Sequence, residues 1–78
     1  GQLFLGGTAV TDTGLALFKE CPNLQLVSLY NTAVTDAGVE FLKEKQLLTE
    51  LVVTNTKVTP AGAAALAKAL PKCKIVWD

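Results

Sequence analysis

Apolar and polar positions alternate along this chain in a pattern that keeps returning. Leu24, Val27, Leu29 and Val34 are separated by three, two and five residues, and Leu48, Leu51, Val53 and Val58 repeat those intervals. Leu3, Leu5 and Val10 supply the last three positions of the same set. The central part of each set has period 2, which predicts a short strand with one apolar face. Strands are therefore expected near residues 3–5, 27–29, 51–53 and 75–77. A polar turn follows each of the first three, and then a segment with an apolar residue every third place. Leu15 and Phe18, Val39 and Leu42, and Ala63 and Leu66 form these pairs, so helices with one inward face are expected.

The turns repeat as faithfully as the strands. Thr8-Ala9-Val10-Thr11-Asp12-Thr13-Gly14 returns as Thr32-Ala33-Val34-Thr35-Asp36-Ala37-Gly38, then as Thr56-Lys57-Val58-Thr59-Pro60-Ala61-Gly62, a period of 24 residues. A fixed period in this range predicts stacked units that bury their apolar sides against one another. Repeats of about 1–25, 26–49 and 50–74 result, with a closing strand at 75–78. Thr8, Thr32 and Thr56 form a structural ladder in this scheme. Thr11, Thr35 and Thr59 stand where an N-cap hydroxyl would serve a helix. Asp12 and Asp36 then fall where a carboxylate meets the positive helix end, and Pro60 takes the same place because its missing N–H is harmless there. Gly14, Gly38 and Gly62 sit inside the helical segments, where glycine costs about 1 kcal/mol against alanine. Their recurrence implies a close approach to the strand or ladder beneath. Gly7, Asn31 and Asn55 share tolerance for positive φ, so a left-handed turn residue is expected at each.

The spacing L-x-x-L-x-L-x-x-T-x-V resembles the core of the leucine-rich repeat family. With threonine in the ladder position followed by Val-Thr-Asp-x-Gly, it is similar to a bacterial, planctomycete-like subtype. It also resembles the ribonuclease-inhibitor-like and cysteine-containing branches. The resemblance implies an α/β, right-handed solenoid with parallel strands on the concave side and helices on the convex side. About three 24-residue repeats and a C-terminal closing strand would make up the one domain, 1–78. The closing stretch Leu70-Pro71-Lys72-Cys73-Lys74-Ile75-Val76-Trp77-Asp78 resembles the subtype's end segment. The last unit has one extra residue before Pro71, and Cys73 and Asp78 are expected in columns that hold leucine elsewhere. Asp78 would stop further strand addition, and Lys68, Lys72 and Lys74 read as a solvated cap. Gly1 reads as a cut edge, so the chain is expected to be the C-terminal fragment of a longer protein. Further repeats or another domain would cover its first strand, which otherwise could self-associate.

Composition narrows the chemistry. Half of the 78 residues are hydrophobic, only 6% are aromatic, and seven basic residues (all lysine) balance seven acidic ones. A neutral, arginine-free domain is a poor ligand for phosphate backbones, so no nucleic-acid partner is expected. No apolar run reaches the ~18 residues of a membrane span. The chain has no histidine, which removes the commonest general base and metal ligand. Gly6-Gly7-Thr8 lacks the lysine and spacing of a phosphate loop. Cys21 and Cys73 stand roughly two strand spacings apart in the stack, beyond the ~7 Å that a disulfide tolerates, so two free thiols are expected. No catalytic role, cofactor or metal is expected.

Binding remains. Residues between the core positions point to the face away from the helices and form rows ~4.8 Å apart. These rows read Gln2, Leu26, Glu50, Ile75, then Phe4, Ser28, Val52, Trp77, then Gly6, Tyr30, Thr54. Phe4, Leu26, Ser28, Tyr30, Glu50, Val52, Thr54, Ile75 and Trp77 are the candidate partner-binding residues. A non-catalytic protein–protein interaction surface is one reading, since aromatic side chains anchor interfaces. The other is a structural closing segment of a larger protein, because strands favour such residues whatever faces them. Trp77 could equally shield the last core layer.

Overall fold

The computed structural model describes residues 1–21 and 23–77. Four three-residue strands form one sheet: β1 Gln2–Phe4, β2 Leu26–Ser28, β3 Glu50–Val52 and β4 Lys74–Val76. Their order is β1-β2-β3-β4 and every pairing is parallel. Two helices accompany them, α1 Asp12–Leu15 and α2 Pro60–Ala69. The chain is thus a compact α/β domain with an all-parallel sheet. Its radius of gyration is 10.8 Å, against the ~11.5 Å expected of a globular chain of this length.

The register follows the sequence period. Leu3 pairs with Val27, Val27 with Leu51 and Leu51 with Ile75, each 24 positions on. Each strand begins one residue earlier than the alternation predicted, but the inward phase in the first three is as expected. The fourth differs. Ile75, rather than Val76, continues the Leu51 row, so no extra residue enters the strand register. Leu70, which follows α2, is buried to 3% exposure. The expected roles of Asp78 lie outside the described residues.

One buried cluster holds the layers together. It unites Val27, Leu29, Leu51 and Val53 from the sheet segments with Leu15, Leu42 and Leu66 from the helical ones. All seven are completely buried. At about 25 cal/mol per Å² of apolar surface, burying each such side chain stabilises by about 1.5–3 kcal/mol. Cys21 and Cys73 are both free and half-buried.

The helical segments are less regular than the strands. Only the third forms a helix of ten residues; the first has one α-helical turn followed by a 3₁₀ turn at Ala16–Phe18, and the second only a 3₁₀ stretch at Glu40–Glu44. Composition accounts for the difference. The third segment is rich in alanine, the best helix former, whereas Val39 and Phe41 in the second restrict side-chain freedom against the preceding turn. Segments this short have little cooperative support of their own.

This corrects the uniform capping expected of Thr11, Thr35 and Thr59. Only the Thr59 hydroxyl accepts from a helical N–H as an N-cap, that of Gly62 at 3.1 Å. Thr35 accepts from Ala37 N–H at 3.2 Å without an α-helix behind it, and Thr11 makes no side-chain capping bond.

Candidate functional site

Two sets of contacts repeat from layer to layer. Within each unit, the ladder threonine closes its own turn. Thr8, Thr32 and Thr56 donate to the carbonyls of Leu5, Leu29 and Val53 at 2.6, 2.7 and 2.8 Å. The three share one local geometry but differ in burial, with Thr8 exposed, Thr32 buried and Thr56 between. Gly7, Asn31 and Asn55 precede them at φ of 72°, 54° and 55°, the left-handed turn expected. Asn55 Nδ2 also donates to Asn31 Oδ1 at 2.6 Å. Asn23, at φ 58°, is a further left-handed residue that the repeat did not reveal.

Between units, the link is a carboxylate. Asp12 accepts the Thr35 N–H on Oδ1 at 2.7 Å and the Thr35 hydroxyl on Oδ2 at 2.5 Å. Asp36 treats Thr59 identically, at 2.8 and 2.6 Å. Asp12 opens α1 as expected, whereas Asp36 stands in a turn ahead of the Glu40–Glu44 stretch; both carboxylates reach into the next unit. They also explain the glycines. A Cβ on Gly38 would lie 2.1 Å from Asp12 Oδ1, and one on Gly62 would lie 2.1 Å from Asp36 Oδ1. The close approach is therefore to the preceding carboxylate rather than to a strand.

The Thr59 hydroxyl, and then its backbone N–H, hold the Asp36 carboxyl below the ordinary value near 3.8, against a smaller opposing effect of burial and with slight help from Lys43. Because the folded state lowers this pKa, its stabilisation is full above the unfolded value and disappears as pH falls through the folded one. Thermal midpoints measured from pH 6 to pH 2 should therefore fall less steeply for Asp36→Asn than for the parent chain. Equal slopes would show that the Thr59 bonds contribute no acid sensitivity.

The face of the sheet opposite the core carries two strand rows. One reads Gln2, Leu26, Glu50, Lys74 and the other Phe4, Ser28, Val52, Val76. Phe4 and Tyr30 are large and open, at 64% and 46% exposure. Tyr30 reaches over the preceding unit, since a Cβ on Gly6 would fall within 2.0 Å of its ring. Gly6 is what allows the ring to lie there. Leu26, Glu50, Val52 and Thr54 are half-buried, and Ser28 is buried. Phe4, Leu26, Ser28 and Val52 thus come together on one face, with Tyr30 just beyond them.

Two expected members do not join them. Ile75 lies in the core row beside Leu51 and packs against the buried cluster. Trp77 follows Val76, and its indole Nε1 donates to the Val58 carbonyl at 3.0 Å. That bond ties Trp77 back to the third unit's turn. Lys74 and Val76 occupy the places assigned to Ile75 and Trp77, a direct result of the unshifted register. The signal that could have located them was the unbroken interval of 24 from Glu50 to Lys74.

The helical side holds an open cleft of about 510 Å³, lined in part by Asp12, Lys19, Glu40, Phe41 and Lys43. Asp12 is already committed to Thr35, and Lys43 pairs with Glu40 at 3.0 Å. Burial pushes the Cys73 thiol up, and the nearby Glu50 charge acts in the same direction. A thiol so shifted is a poor nucleophile at neutral pH. Among the described residues no three of the metal-ligating types cluster together, and no helix is long and apolar enough to cross a membrane.

No protein-family model matches the chain, and a comparison with curated proteins found no relative.

Proposed function

We propose that this chain is a short leucine-rich-repeat solenoid segment that works as a non-catalytic protein-binding module through the open face of its sheet. Strands on the concave side and helices on the convex side complete the picture. The constant 24-residue register and the repeated Asp–Thr–Gly contact support the stacking part of this reading. Four strands at ~4.8 Å span only about 14 Å, so a stack this short need not look elongated.

The observation that carries the binding part is the pairing of two exposed aromatic side chains, Phe4 and Tyr30, with half-buried Leu26 and Val52 on one side of the sheet. Rigid aromatic residues offer large contact area at low entropic cost and anchor many interfaces. Charged Glu50 and Lys74 lie next to each other at the rim of the same face and would give it polarity and register.

The test is a pair of variants. Proteins retained by the immobilised chain are purified and titrated against it as defined pairs. Phe4→Asp combined with Tyr30→Asp should weaken such a pair at least tenfold while circular dichroism stays unchanged. Leu17→Asp, at a position 83% exposed on the helical side, should leave it intact. If no pair responds to the double variant, the face is a structural surface of a larger protein instead.

A further inference from the structure

The two inner strands each hold a fully buried residue at their centre, Val27 in β2 and Leu51 in β3. β4 has none: Lys74 is exposed, and Ile75 and Val76 are half-buried. Among the described residues it pairs with β3 alone. Two bonds mark the ends of that pairing, Lys74 N–H to the Thr49 carbonyl and Val53 N–H to the Val76 carbonyl, both at 2.8 Å. A short strand with so little buried apolar surface belongs to the part of a fold that opens before the rest.

One side-chain bond works against that opening. Trp77, the chain's single tryptophan, follows β4 and donates its indole Nε1–H to the Val58 carbonyl at 3.0 Å. One unit earlier, the Val34 carbonyl accepts the backbone N–H of Lys57 at 2.9 Å. The indole therefore fills, from a side chain, a place that a backbone amide fills in the preceding unit. Val58 is 4% exposed, so a carbonyl that loses its donor there has little water to turn to, and the loss is costly.

We infer that β4 is a detachable strap across the β3 edge and that the Trp77 indole is its latch. When the latch opens, β4 lifts from β3 while the pairing of β2 with β3 stays intact. Release bares the backbone groups of Leu51 and Val53 that face β4, and it takes Lys74 and Val76 out of the face that also carries Val52 and Glu50. The strap would thus reshape one end of the proposed binding surface. That consequence rests on the binding reading, whereas the strap itself does not, and its test involves no partner.

The experiment is native-state hydrogen exchange on the whole chain and on Trp77→Phe, which keeps an aromatic ring and removes the donor. In the parent chain, the Trp77 indole N–H and the Val53 amide should show matching protection, because one opening frees both. In Trp77→Phe, protection at Val53 should fall about tenfold, the effect of one buried carbonyl left without its donor. The Leu29 amide, bonded to the Val52 carbonyl at 2.8 Å, should keep its protection. Unchanged protection at Val53 in the variant would overturn the inference. So would an equal fall at Val53 and Leu29, which would make Trp77 a support of the whole fold. An indole N–H exchanging as in free tryptophan beside a protected Val53 would overturn it as well.

Discussion

Leu51→Ala should remove a large part of the stability of this chain. Leu51 is fully buried in the third strand, with Val27 on one side in its row and Ile75 on the other. Truncating such a leucine costs about 2–5 kcal/mol, because transfer energy is lost and the surrounding layers close only partly around the gap. A domain of this size has about 4–12 kcal/mol to lose. Urea unfolding should thus show a midpoint displaced strongly downward, with the slope unchanged if the denatured state is unaltered. Leu17→Ala provides the contrast. At 83% exposure, its change should stay within about 0.5 kcal/mol. Comparable losses at the two positions would mean that the layers do not share one interior.

The second large effect is expected at Gly38. A methyl group there would sit 2.1 Å from Asp12 Oδ1, 2.7 Å from Cγ and 3.1 Å from the Asp12 Cα. The carboxylate could swing aside only by giving up both bonds to Thr35, and the backbone at 3.1 Å leaves little alternative. Overpacking of this kind costs about 1–3 kcal/mol, readable in the same urea titrations. Gly14→Ala should be far milder, because the only neighbour is a side-chain methyl. Combining Gly38→Ala with Asp12→Ala should cost less than the two separate losses added together, since one clash and one set of bonds are shared. Strict additivity would detach the glycine from the carboxylate.

Much of this arrangement is legible in the sequence because strand alternation and left-handed turns leave local signatures. Val27 and Leu29, or Asn31 and Thr32, declare their roles through side-chain type and spacing alone. The destination of the Asp12 carboxylate is different. A residue at a helix start and a residue reaching the next unit have the same period, so spacing cannot separate them. The irregular second helical segment was hidden as well, because inward Val39 and Leu42 fit a 3₁₀ turn as readily as an α-helix. At the last strand, Ile75, Val76 and Trp77 are all apolar, so alternation loses its phase. Backbone pairing and the Trp77 bond to Val58 decide the phase instead. The face residues Phe4 and Tyr30 were visible as candidates, yet Tyr30 lying over Gly6 depends on a neighbour 24 positions away.

Hydrogen-bond couplings measured directly across the sheet would test the common register most sharply. The amides of Leu5, Leu29 and Val53 should couple to the carbonyls of Ser28, Val52 and Val76, as their bonds of 2.9, 2.8 and 2.8 Å require. Coupling of Val53 to the carbonyl of Trp77, or of Leu5 and Leu29 to carbonyls at unequal intervals, would contradict layers set 24 residues apart.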